Sequence, residues 1–162
     1  VDGGLQLSIA PNAIEVNALM SRQAYRFQDS AFQVEISQFA SGSSTIGTFA
    51  AVTDAAENSY VIFNVFNGRL TAWRRWNGGT PVQIGSATLN PTQHRFLRLR
   101  EANGRVYYET SANGVQWTTR WTLTHAFSDL DNLHGMIGAQ TWGSPTSNPT
   151  PARFESVGIV TP

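Results

Sequence analysis

Three Asn-Gly pairs, at Asn67-Gly68, Asn103-Gly104 and Asn113-Gly114, interrupt runs of alternating apolar and polar residues, and they constrain this chain more than any other feature. Asn-Gly is the favoured pair for a two-residue type I′ turn, because both central residues need positive φ. Alternation at period two sends successive side chains to opposite faces of a strand. The combination spells antiparallel hairpins. Asn77, ahead of Gly78-Gly79, marks a fourth turn.

The turns fix a register. A two-residue loop at Asn67-Gly68 pairs Phe66 with Arg69, Asn64 with Thr71, Ile62 with Trp73 and Tyr60 with Arg75. One face then carries Val61, Phe63, Val65, Leu70 and Ala72, which is a core face. The other carries Tyr60, Ile62, Asn64, Phe66, Arg69, Thr71, Trp73 and Arg75, mixed polar and aromatic. The same construction at Asn103-Gly104 puts Leu97, Leu99, Tyr108 and Thr110 inside, with Arg98 opposite Glu109 and Arg100 opposite Tyr107 outside. A slip of one residue would bury those charges, so this register is strongly preferred.

Further strands are expected at 5–9, 13–18, 25–27, 31–39, 48–53, 117–123, 136–141 and 153–160, with loops at 41–44, 77–93 and 143–151. Asn12 followed by Glu15 resembles a helix-capping pair, but Ile14, Val16 and Ala18 alternate and favour a strand. Many short strands without a clear helix make the chain all-β, an antiparallel two-sheet β-sandwich of the jelly-roll kind. Its 162 residues suit one domain, 1–162.

Charge excludes several functions. The eleven basic residues are all Arg, balanced by eleven carboxylates, and charged residues are 14% of the chain, against roughly 25% in typical soluble domains. Thr (16), Ser (14) and Asn (11) supply the polarity instead. Nucleic acid or anionic membranes would call for a basic patch, which is missing. No apolar run reaches the roughly 18 residues of a membrane span. Val1 to Leu5 lack the basic start and apolar stretch of a signal peptide. With no cysteine there is no disulfide, thiol nucleophile or thiolate-bound zinc.

The run from Tyr60 through Asn67-Gly68-Arg69-Leu70, then His94-Arg-Phe-Leu-Arg-Leu-Arg100, then Val106 to Trp117 with its Ser-Ala-Asn-Gly-Val-Gln-Trp turn, resembles the concanavalin-A-like lectin/glucanase superfamily. His134-Gly-Met-Ile-Gly-Ala139 and Ala152-Arg-Phe154 are similar to its last two strands, so the resemblance covers roughly residues 30 to 160. It implies the laminin-G-like sandwich of lectins, carbohydrate-binding modules, adhesion domains and glycoside hydrolases. The hydrolases carry paired carboxylates on one strand, as retaining chemistry requires. Here the only i, i+2 pair is Asp129 and Asp131, in a turn-like stretch, and no Glu-x-Asp-x-x-Glu run exists. Catalysis is therefore not expected.

Sugars are bound by aromatic platforms with planar polar groups beside them. Trp73, facing outward with Tyr60, Asn64 and Arg75, fits that need; the competing expectation is that loops cover the face. Trp76 and Trp142 end their strands beside loops and form a second, rim-like candidate. Arg74 and Arg75 suit acidic sugars or ring stacking, or simply shield a strand edge. Trp117, taken to pair with Thr110, is expected in the core, as is Trp121 unless a bulge turns it outward. His94, His125 and His134 have no metal-ligand spacing, and no Gly-x-Ser-x-Gly elbow is present. Sandwiches of this kind often hold a structural calcium, and Asp54, Glu57 and Asn58, or Asp129, Asp131 and Asn132, supply oxygen ligands for one.

The expected function is a non-catalytic, lectin-like module for an oligosaccharide or polysaccharide. Such a module would be extracellular or on the cell surface and attached to other domains, with no nucleic-acid partner and no membrane insertion. A structural or adhesive sandwich contacting protein is the alternative, and an atypical glycoside hydrolase a third reading.

Overall fold

The computed structural model describes residues 4–125, 127–143 and 148–161. Residues 1–3 of the amino-terminal stretch and 144–147 of the loop expected at 143–151 lie outside them. The described residues form twelve strands: β1 (Leu5–Leu7), β2 (Val16–Met20), β3 (Ala31–Gln38), β4 (Ile46–Asp54), β5 (Tyr60–Phe66), β6 (Arg69–Arg75), β7 (Val82–Thr88), β8 (Phe96–Ala102), β9 (Arg105–Ser111), β10 (Thr118–Thr124), β11 (Leu133–Thr141) and β12 (Ala152–Val160). They form two six-stranded antiparallel sheets, ordered β1-β12-β3-β8-β9-β10 and β2-β11-β4-β5-β6-β7.

Both hairpin registers read from the turns are those of the folded chain. Asn67 and Gly68 have φ of 49° and 68°, and Asn103 and Gly104 have 53° and 73°, the left-handed values a type I′ turn needs. A turn of the same hand joins Trp76 to Gly79, the Gly79 N–H donating to the Trp76 carbonyl at 2.9 Å. Asn113 behaves differently. Its side-chain oxygen accepts the N–H groups of Val115 and Gln116 at 2.9 Å each, an Asx cap that makes a longer loop between β9 and β10.

The inner faces meet in one core, in which Phe27, Phe63, Tyr108, Phe154, Ile36, Leu70, Leu97 and Leu99 are almost fully buried. Phe63 and Tyr108 pack edge to face across it at 5.2 Å. Val16–Met20 is a strand, as the alternation there suggested.

Four expectations need correction. The stretch 25–27 is not a strand, since Tyr25 makes only an isolated bridge to Leu133. The stretch 77–93 is not one loop, since it contains β7, which pairs with β6 through a bulge between Ala72 and Trp73. Trp117 is not core. Thr118, not Trp117, pairs with Thr110, and the Trp117 ring lies on the outer face beneath the Arg98 guanidinium, 4.0 Å away. Trp121 does pack against the core, but because of a bulge rather than despite one. The register shift between Thr119 and Trp121 makes Arg120 the extra residue and sets Trp121 opposite inward-facing Tyr108.

Candidate glycan-binding groove

With Val61, Phe63, Val65, Leu70 and Ala72 committed to the core, the alternate side chains of β5 and β6 stand on the outer face of their sheet. A groove of about 560 Å³ lies there, lined by Tyr60, Ile62, Asn64, Phe66 and Trp73 from the hairpin, Gln140 near the end of β11 and Trp142 just after it, and Ser44, Thr45 and Pro81 from loops. From Tyr60 to Phe66 the strand runs roughly 20 Å at about 3.4 Å per residue. None of these lining residues carries a formal charge.

Trp73 is held by a relay along its own face. Its indole N–H donates to the Thr71 hydroxyl at 3.0 Å, and that hydroxyl donates to the Asn64 carbonyl at 2.9 Å. The indole nitrogen is thus satisfied inside the protein, and the apolar ring is what the groove receives. At the far end Trp142, half exposed, packs on Phe66 with ring centroids 5.0 Å apart. Its Cη2 lies 3.1 Å from where a side chain on Gly47 would begin, so a larger residue there would push the ring off by a few tenths of an ångström. Asn64 stands beside it, 93% buried, and no protein group donates to its Oδ1. Burial raises the Tyr60 phenol above its ordinary range, with the neighbouring Arg75 charge opposing, so Tyr60 is a protonated donor at neutral pH.

The structure therefore brings Tyr60, Asn64, Trp73 and Trp142 to one groove and leaves Arg75 and Trp76 out of its lining. Arg75 donates from Nε to the Gly79 carbonyl and from Nη2 to the Gly78 carbonyl, both at 2.9 Å, shaping the turn that precedes Pro81. Trp76 packs on Phe127 at 4.8 Å, against the core. Sequence reading did not single out Gln140, Ser44, Thr45 or Pro81. Gln140 had a signal, its place on the alternating strand before Trp142; the loop residues had none.

The carboxylates lie elsewhere. Glu109, on the outer face of the opposite sheet, accepts from Arg98 at 2.7 Å and Arg100 at 2.9 Å. Burial alone would raise its carboxyl, but hydrogen bonds from Arg100 and Arg98 and their charges hold it below the ordinary range. Glu35 pairs with Arg95. Asp54 accepts the N–H groups of Asn58 and Ser59 at 2.8 and 2.9 Å. Asp129 accepts from the Asp131 N–H at 2.7 Å and the Asn132 amide at 2.6 Å. Asp54 and Asp129 are thus caps of their own turns, and no group of three His, Asp or Glu side chains converges among the described residues.

No protein-family model matches this sequence, and no curated protein does. Solved structures match in fold. A legume lectin-like domain from Entamoeba histolytica superposes with a TM-score of 0.64 at 14% identity, covering 97% of this chain and 83% of that one. The exoplasmic/lumenal domain of VIP36, in a Ca2+/Man3GlcNAc-bound form, gives 0.66 at 12% identity, covering 97% and 78%. A Bacteroides ovatus family GH16 protein of a mixed-linkage glucan locus, in complex with a G4G4G3G product, gives 0.63 at 8%, covering 94% and 84%. The chain has the concanavalin-A-like jelly-roll fold of the lectin/glucanase superfamily.

Proposed function

We propose that this chain is a non-catalytic, lectin-like module that binds an uncharged oligosaccharide or polysaccharide in the groove between Tyr60 and Trp142. The observation that carries this reading is the meeting of Trp73 and Trp142 in one uncharged groove with the Asn64 amide at its floor. Large aromatics on a solvent-facing surface are costly unless they pack or bind, and aromatic walls with a few placed polar groups are the usual make-up of a ligand site. Two of the fold neighbours are named with bound mannose-type glycan or glucan product, which agrees with a sugar ligand. The groove lining offers no carboxylate to serve as acid, base or nucleophile, whereas retaining hydrolysis needs two about 5 Å apart.

Residues 1–162 are taken as one unit, joined to further domains and working outside the cell or on its surface. Among the described residues no helix is long and apolar enough to cross a membrane. Calorimetric titration of neutral glycans into wild type and Trp73→Ala tests the function. Binding by wild type at micromolar to millimolar affinity, about −4 to −8 kcal/mol, and its loss in the variant are expected. Equal binding by both would move the site off this face. Release of reducing ends from a polysaccharide would overturn the non-catalytic reading. Failure of wild type to bind any glycan at millimolar concentration would favour an adhesive module that contacts protein.

A further inference from the structure

Asn64 is an anomaly in its own strand. Ile62, Phe66 and Trp73 around it on the groove face are apolar, the hydroxyl of its cross-strand partner Thr71 donates to its main-chain carbonyl rather than to its side chain, it is 93% buried, and its Oδ1 receives no hydrogen bond from the protein. A buried carbonyl oxygen without a protein donor is a destabilising choice wherever an apolar side chain of the same shape would fit. Nothing on the inner side of the sheet asks for an amide, because the flanking Phe63 and Val65 already fill the core. Oδ1 also lies 3.1 Å from the position of a Gly47 Cβ, the point to which the Trp142 Cη2 tip comes equally close. The unsatisfied acceptor and the half-exposed ring therefore flank the same point on the groove floor.

We propose that Asn64 is the specificity-determining residue of the groove, retained against the interest of stability so that its Oδ1 accepts a hydrogen bond from a hydroxyl of a pyranose stacked between Trp73 and Trp142. This rests on the groove being the glycan site. The hydroxyl supplies the donor that Oδ1 lacks within the protein, so an analogue without it leaves the oxygen unpaired in the complex. Discrimination would therefore be steep for one hydroxyl and shallow for the others. The uncharged floor points to neutral sugars rather than uronic or sialic acids.

The test uses two variants of the whole chain and an array of neutral oligosaccharides, including Man3GlcNAc and a mixed-linkage glucotetraose. Asn64→Leu, which keeps the shape and removes the acceptor, should melt at or above the wild-type temperature. Asn64→Ala, which removes the acceptor without adding bulk, should bind the best array ligand at least ten-fold more weakly. A monodeoxy series of that ligand should contain one member that loses at least ten-fold against wild type and nothing further against Asn64→Ala. If wild type binds and Asn64→Ala binds equally well, the assignment of Asn64 is wrong while the groove reading stands. If Asn64→Leu melts well below wild type, the amide is structural and the proposal fails. If wild type binds no neutral glycan at millimolar concentration, the groove reading and this proposal fall together.

Discussion

The hydroxyl of Tyr108 donates to the main-chain carbonyl of Trp73 at 2.6 Å, tying the centre of the core to the strand that carries the groove's inner tryptophan. Tyr108 belongs to β9 in one sheet and Trp73 to β6 in the other, so the bond crosses the sandwich. Burial raises the Tyr108 phenol well above its ordinary range, and the proton stays on the oxygen. Tyr108→Phe keeps the ring contact with Phe63 and deletes only the bond. It should destabilise the fold by about 0.5–1.5 kcal/mol and weaken glycan binding, as read by urea unfolding and calorimetry. Unchanged stability would show that the bond contributes nothing.

Gly68 has a φ of 68° with open space around it, so any cost of replacing it is conformational rather than steric. Gly68→Val should destabilise by roughly 1–3 kcal/mol because a β-branched residue is strained there. Gly68→Asn should cost much less. Equal losses in chemical unfolding would argue against the type I′ turn as the determinant of register.

Acid should destabilise the fold in two steps. Burial, followed by the Arg120 charge, lowers His94 below its ordinary 6.5, and the ring nitrogen Nδ1 accepts the Asn90 N–H at 3.1 Å. The folded state thus favours the neutral ring, and that stability is lost as pH falls below about 6.5. Glu109 is held below its ordinary 4.5, so its contribution is present above that value and lost as pH falls further. Unfolding free energy measured from pH 8 to 3 should decline through both windows. His94→Gln should flatten the upper one, and Glu109→Gln should be less stable than wild type at pH 7 with the gap closing by pH 3. A gap that widens in acid would reverse the sign assigned to Glu109.

Chelation should leave the fold unchanged, because the oxygens of Asp54 and Asp129 are already caps of their own turns. The melting temperature should be equal in excess chelator and in millimolar calcium. An upward shift with calcium would contradict this.

Local chemistry was legible and remote convergence was not. Asn67-Gly68 specified seven cross-strand pairs because turn type and alternation are written in neighbouring residues. The segment 82–88 hid its strand, since Gly85 and Ser86 read as loop and its half-buried edge shows little alternation. Trp121 was ambiguous for the opposite reason: an inserted residue shifts parity, and nothing in Thr118-Thr119-Arg120 announces which residue is extra. Trp73 and Trp142 read as separate candidate sites, one on a face and one on a rim. They meet because β11 pairs with β4 and β4 with β5, setting Thr141 beside Ile46 and Gly47 beside Phe66. Such pairing between distant strands leaves no trace in spacing. Arg75 looked like a ligand group because its other calling, capping the Gly78 and Gly79 carbonyls, depends on a turn three residues on.

The five tryptophans give the most direct measurement of the central claim, since each indole N–H yields its own resonance and only two lie in the groove. A neutral glycan titrated into 15N-labelled protein should shift the Trp73 and Trp142 indole signals together, with one dissociation constant. Trp76, Trp117 and Trp121, packed on Phe127, under Arg98 and against the core, should stay still. Movement of Trp117 or Trp76 with Trp73 and Trp142 unmoved would place the sugar elsewhere and contradict the account.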